Sequence, residues 1–317
     1  VGEKIKILYD KDWKPVTEID SADFYRIINF KNKNIPSAII NDYYVSGIKK
    51  SSFYASYVGL NSKENDSVFR QGPLTDYYEN KNKSLSITYF KGRKFGNETS
   101  YYQSGSLRSN TFFDNGLKQG EQINYYESGE VEYKINWVDG KKQVDEIGYY
   151  ESGEVEYKRN WVDGLAQGEE IGYYESGEIQ YKINWIDDLI QGEEIGYYES
   201  GEIEYRVTHV DGLVQGEQIG YYKSGEVKYK RNWVDNLRQG EEIGYYESGE
   251  VKYKINWVDN LRQGENIGYY ESGEVKYKRN WVDNLRQGEQ INYYESGEVE
   301  YKINWVDGKK QVEEIGY

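Results

Sequence analysis

Apolar and polar side chains alternate along Val251-Lys252-Tyr253-Lys254-Ile255-Asn256-Trp257-Val258, and β-branched and aromatic residues dominate the run. That period of two predicts a β-strand. Glu242-Ile243-Gly244-Tyr245-Tyr246 predicts a second, shorter strand just upstream, and Glu247-Ser248-Gly249-Glu250 supplies a tight turn between them. A two-residue Ser248-Gly249 loop places Tyr246 opposite Val251 and Gly244 opposite Tyr253. One face then gathers Tyr246, Val251, Tyr253, Ile255 and Trp257, and Gly244 leaves room for the Tyr253 ring over the backbone. The other face carries Ile243, Tyr245, Lys252, Lys254, Asn256 and Val258. The stretch Asp259-Asn260-Leu261-Arg262-Gln263-Gly264 holds turn formers and makes the return connection.

This hairpin is one copy of many. The Tyr-Tyr pair that opens it at Tyr245 also stands at Tyr125, Tyr149, Tyr173, Tyr197, Tyr221, Tyr269 and Tyr293, always 24 residues apart. Trp137, Trp161, Trp185, Trp233, Trp257, Trp281 and Trp305 keep the same phase, and the place of the missing member is held by His209, the only histidine. Self-similarity at a fixed period predicts a repeat architecture. The expected fold is all-β: an elongated, single-layer antiparallel meander of 24-residue β-hairpins with an N-terminal β cap.

Residues 1–42 do not repeat and form the expected capping module. Lys4–Tyr9 and Phe24–Phe30 alternate like strands, Ser21-Ala22-Asp23 suits a short helical turn, and Asn32-Lys33-Asn34 is a polar turn. Residues 43–124 hold drifted copies: the unit opening at Tyr43 runs 34 residues, its ten extra residues lying around Val58 to Asp66. Residues 125–317 hold near-identical copies. The residue two before the Trp position runs Ile135, Arg159, Ile183, Val207, Arg231, Ile255, Arg279, Ile303, which suggests duplication of multi-repeat blocks. The chain begins at Val1, as a processed or trimmed one would, and ends inside a Tyr-Tyr pair. Further residues, or a joined partner, are expected beyond Tyr317.

Tyr-Tyr-x-Ser/Asn-Gly, an aromatic residue, Asp/Asn-Gly and Gln-Gly-Glu in this order resemble the MORN-variant repeat, in particular the bacterial YwqK-type family often labelled as toxin–antitoxin antitoxin. The resemblance covers about Tyr43 to Tyr317. It implies a sheet used for protein contacts or self-association through its edges. Gly244-Tyr245-Tyr246 departs from the usual MORN order Tyr-x-Gly. The opening Tyr9-Asp10-Lys11-Asp12-Trp13-Lys14-Pro15 with Ala22-Asp23-Phe24-Tyr25-Arg26 is similar to a leader module of bacterial cell-envelope proteins. An envelope or extracellular setting is expected from it, with a cytoplasmic one as the alternative.

Composition narrows the function. The net charge of −15 argues against nucleic acid and anionic lipid as partners. It matches a basic protein or simply keeps an aromatic-rich surface soluble. With no cysteine there is neither a disulfide framework nor a thiolate metal site, and no apolar run is long enough to span a membrane. His209 occupies a packing position, so it is a poor candidate for a base. Glu169-Glu170, Glu193-Glu194 and Glu241-Glu242 are adjacent in a strand, point to opposite faces, and are expected on a solvated edge. No catalytic, cofactor or metal constellation is recognisable, and no enzyme activity is expected.

The features able to bind a partner are the aromatic ladders: Tyr149, Tyr173, Tyr197, Tyr221, Tyr245 and Tyr269, with Trp161, Trp185, Trp233, Trp257 and Trp281. Three functions stay open. They are a scaffold for a protein partner, multivalent or self-associating; an antitoxin or immunity protein masking a basic toxin; and a carbohydrate-binding surface protein using the rings.

Overall fold

The structure, a computed structural model, describes residues 4–32, 35–58, 68–311 and 315–316. Of the expected features, the Lys33-Asn34 part of the polar turn and the Gly59–Asp66 insertion lie outside these residues. The chain divides into two compact units, one of residues 1–155 and 161–164, the other of 156–160 and 165–317. Each is built from antiparallel strands joined in sequence order, with no α-helix among the described residues. The all-β hairpin meander expected from the alternation is what forms.

In the first unit Lys4–Tyr9 pairs with Phe24–Asn32, which pairs with Ile35–Tyr44, and Pro15–Val16 adds a short strand beside Tyr9. A 3-10 turn forms at Ile19–Ser21, just upstream of where the sequence suggested one. Ile28, Ile40, Phe53, Leu74 and Ile87 lie directly opposite one another on five successive strands. Each is at most 4% exposed, and together with Ala38 and Ala55 they form this unit's core. Across-strand contact of large apolar side chains is the main source of sheet stability, so this row anchors the unit.

The second unit repeats one hairpin. Val251–Val258 forms the long strand as expected, but its partner is Leu237–Tyr245, longer than the five residues predicted. The return connection shrinks to Asp259-Asn260, because Val258 pairs with Leu261 and Trp257 with Arg262. Both turn residues have positive φ, 49° and 67°. That is the type I′ geometry whose twist matches the strands, and Asp and Asn tolerate it better than most side chains.

At the other end the loop has three residues, not two. Tyr246 N–H donates to Glu250 O at 2.8 Å and Gly249 N–H to Tyr246 O at 3.0 Å. Tyr245, not Tyr246, therefore faces Val251. A bulge then absorbs one residue at Lys252 and restores the expected pairing of Gly244 with Tyr253. The added loop residue and the bulge cancel, which is why one pairing was correctly anticipated and its neighbour was not.

Candidate interaction faces of the repeats

A second bulge, at Gln-Gly-Glu, sets the chemistry of the Trp-bearing face. Gly240 has φ 73°, and past it Glu242 lies opposite Ile255 while Glu241 lies opposite Asn256. The two carboxylates do point to opposite sides. The expectation of a solvated edge fails for the second of them: Glu170 and Glu242 are buried and Glu194 is half-buried, while Glu169, Glu241 and Glu193 are exposed. Pleating carries the second Glu under the aromatic rings, so it needs donors there.

It finds them on the two strands that flank its own. Glu170 accepts from Tyr181 Oη at 2.8 Å, Trp185 Nε1 at 2.7 Å and Arg159 Nε at 2.5 Å. Gln218 accepts from Trp233 Nε1 at 3.0 Å and Arg231 Nε at 2.8 Å. Where the Trp is missing, His209 Nε2 lies 2.7 Å from Glu194 Oε2 and Tyr205 donates to the same carboxylate at 2.6 Å. The histidine thus takes over the polar contact that Trp185 and Trp233 make through the indole N–H, not only their packing. Burial, joined by the hydrogen bond to the carboxylate, pushes the phenols of Tyr181 and Tyr205 well above the usual range. The Arg159 and Arg231 members of the Ile/Arg series therefore have a structural role: each serves the buried acid or amide beside it.

The predicted ladders fall on opposite faces. Tyr181 and Trp185 converge on Glu170, whereas Tyr173, three residues further along that strand, points to the other side. All eleven predicted ladder residues are half-buried except Trp257, which is buried. The Trp rings are also covered. Lys142 Nζ lies 4.0 Å from the Trp161 ring centre, and Arg159 lies 5.3 Å from that of Trp185. Arg231 and Arg238 flank Trp233, Arg238 and Arg262 flank Trp257, and Arg262 and Arg286 flank Trp281. A ring already occupied by a guanidinium or ammonium is a poor platform for a sugar.

Tyr149, Tyr197, Tyr221, Tyr245 and Tyr269 contribute through their backbones. Tyr126 Oη donates to Tyr149 O at 2.7 Å, Tyr198 to Tyr221 at 2.7 Å, and Tyr246 to Tyr269 at 2.8 Å. The second Tyr of each pair thereby pins its own hairpin tip to the next one. At the opposite edge Gln119 Nε2 donates to Asp139 Oδ1 at 2.6 Å and Gln191 to Asp211 at 2.6 Å, again from one repeat to the next. Sequence inspection missed both ties, although a Gln and an Asp kept 20 residues apart were the available signal.

The exposed positions are of two kinds: an apolar row at the return turns, such as Val234, Val258 and Val282, and acidic residues at the opposite edge. Most hairpin tips of the near-identical copies present two glutamates, such as Glu247 and Glu250 or Glu175 and Glu178, although Lys223 replaces the first in one copy; the strand presents a third, such as Glu241 or Glu169. Among the described residues no group of three or more His, Cys, Asp or Glu could hold a metal ion. No helix there is long and apolar enough to cross a membrane.

These features define an array of β-hairpin repeats tied edge to edge. The family model described as the MORN repeat variant matches residues 118–139, 166–187, 190–211, 214–235, 238–259, 262–283 and 286–307, so the chain carries seven MORN-variant repeats. The copy between residues 140 and 165 goes unmatched, yet it keeps the Tyr150–Glu154 hairpin tip and the bulge, with Val144 in place of the glycine. No curated protein matches the chain.

Among solved structures, the Tc holotoxin pore of Photorhabdus luminescens is 12% identical over 96% of this chain and 19% of its own, with a TM-score of 0.16. A TcdB2–TccC3 structure is 11% identical over 98% and 23%, at 0.17. A porin-like protein from Bacteroides uniformis is 8% identical over 90% and 91%, at 0.13. The chain spans about a fifth of the length of the toxin chains. Scores this low carry no inference about function.

Proposed function

We propose that the chain is a non-catalytic repeat scaffold whose hairpin tips bind a basic protein partner at many equivalent points. The observation that carries this reading is the recurrence of the exposed glutamates in phase, at Glu127, Glu151, Glu175, Glu199, Glu247, Glu271 and Glu295, a series broken only at Lys223. Buried rungs explain why Tyr, Trp and the second Glu repeat; nothing in the packing requires a fixed acid at an exposed tip. Separate contacts of modest strength, summed along the array, give high avidity without any essential residue.

The proposed setting is the bacterial cell envelope, supported by the resemblance of the opening module. Masking of a basic toxin is the second reading, because the same acidic tips suit it. The cation cover over the Trp rings weighs against a sugar-binding ladder. The test is a truncation series ending at successive Tyr-Tyr pairs, with Glu247→Lys/Glu271→Lys in the full chain, titrated against a basic partner recovered by crosslinking. Affinity is expected to fall steeply with each repeat removed. Loss of all binding from one exposed substitution would overturn the scaffold reading and favour a single private site.

A further inference from the structure

Away from the near-identical repeats, the first unit holds a cavity of about 480 Å³ on the face of its apolar core. Its floor is a row in register across four strands: Arg26 opposite Asp42, Asp42 opposite Ser51, and Ser51 opposite Asp76. Part of that row is internally satisfied. Arg26 Nε donates to Asp42 Oδ1 at 2.7 Å and Ser51 Oγ to Asp42 Oδ2 at 2.9 Å.

Three charged groups lining the cavity have no such partner. Among the described residues no carboxylate lies within ion-pair distance of Lys50; its Nζ sits 4.9 and 5.0 Å from the centres of the Phe24 and Tyr44 rings. Arg70 stacks on Phe53 and Tyr89, with one long contact of 3.4 Å to Tyr89 Oη. Asp76 accepts no hydrogen bond from a described residue, and burial is the main cause that pushes its carboxyl up to about 6. Lys50 and Arg70 act on the Asp76 carboxyl through their charge, but neither donates to it directly, so all three groups retain hydrogen-bonding capacity toward the cavity. Trp13 and Tyr89 add ring surface to the walls.

An occupant must answer all of these. A cationic ligand would meet Lys50 and Arg70, so it is disfavoured. A simple anion would satisfy the cations and leave Asp76 bare. A hydroxylated ring bearing one carboxylate satisfies both: the carboxylate takes hydrogen bonds from Lys50 and Arg70, a ring hydroxyl donates to Asp76, and the ring's apolar face lies on an aromatic wall. We propose that this cavity binds an acidic sugar of the uronic-acid type, with Lys50 and Arg70 holding its carboxylate and Asp76 its hydroxyls. The site is separate from the hairpin tips, so it stands or falls independently of the scaffold reading.

The experiment is calorimetric titration of the full chain with glucuronate, galacturonate, glucose, glucosamine, acetate and inorganic phosphate. At least one uronate is expected to bind saturably, and at least about tenfold more tightly than glucose, acetate or phosphate, the lower bound for loss of a charge-assisted contact. Lys50→Gln and Arg70→Gln should each weaken that uronate about tenfold while leaving the weak glucose binding unchanged. Arg70→Lys keeps the charge and guards against a packing artefact; it should retain more binding than the Gln variant. Acetate or phosphate binding as tightly as the uronate, tighter binding of glucosamine, or the absence of saturable binding by either uronate would each overturn the proposal.

Discussion

Gly244 is the position at which one added methyl group should do the most harm. A Cβ built there would lie 2.2, 2.4 and 2.7 Å from Cε1, Cζ and Cδ1 of Tyr253, far inside any real carbon contact. The ring has to leave, and with it goes the 3.0 Å hydrogen bond from Tyr253 Oη to the buried Glu242. Overpacking costs roughly 1–3 kcal/mol and a hydrogen bond to a charged group about 1.5–3 kcal/mol. The two overlap, so Gly244→Ala should destabilise its hairpin by roughly 3 kcal/mol. The chain also shows how a larger residue is accommodated. Asn124 and Asn292 occupy this position in two repeats, and in both the buried acid is a glutamine. Gln122 Nε2 donates to Asn124 Oδ1 at 2.9 Å and Gln290 Nε2 to Asn292 Oδ1 at 3.0 Å. In Gly244→Asn alone the amide can donate to Glu242, but the carboxylate has no N–H to return to the asparagine and the tyrosine, as Gln122 Nε2 has for Asn124 and Tyr133. Glu242→Gln with Gly244→Asn rebuilds the natural pair, so the double variant should exceed the sum of the singles by at least about 1.5 kcal/mol. Because neighbouring repeats unfold semi-independently, the assay is native-state hydrogen exchange read on peptides across residues 237–258, backed by urea melts followed by tryptophan fluorescence. Unchanged protection in Gly244→Ala, or strict additivity in the double variant, would refute the reasoning.

Three further outcomes are expected. Val144 stands at the bulge with φ 63°, a left-handed conformation that a β-branched residue adopts at a cost, so Val144→Gly should raise stability by about 1 kcal/mol in urea melts. Asp76, pushed up to about 6, stabilises the fold fully only below its unfolded value near 4, and that contribution is lost as pH rises through about 6. Allowing for its partial exposure, Asp76→Asn should gain roughly 1–2 kcal/mol on wild type in urea melts at pH 7.5 and little at pH 4. At position 209, His209→Trp should stay within about 1 kcal/mol of wild type, whereas His209→Phe should lose roughly 1–3 kcal/mol, because only the tryptophan returns a donor to Glu194.

Side-chain period and repeat length were enough to determine the hairpin, its antiparallel pairing, the Gly244–Tyr253 approach and the long strand of each repeat, though not the strand residues Leu261 and Arg262 of the return connection. These depend on neighbours within a few residues, or on a pattern copied so often that its phase is unmistakable. Which Tyr faces Val251 was decided by two local irregularities that cancel, and neither leaves a mark in the alternation. The fate of the second glutamate was likewise settled only in three dimensions: pleating after the Gly240 bulge turns Glu242 toward Ile255, Tyr253 and Trp257 instead of water. The cavity in the first unit lies furthest from anything legible along the chain. Arg26, Asp42, Ser51 and Asp76 are spread over four strands, and only the register of the sheet brings them into one row. Periodicity records which side of a strand faces inward; it does not record which residue on the next strand waits there, because that is fixed by loop lengths and bulges summed over the whole path between them.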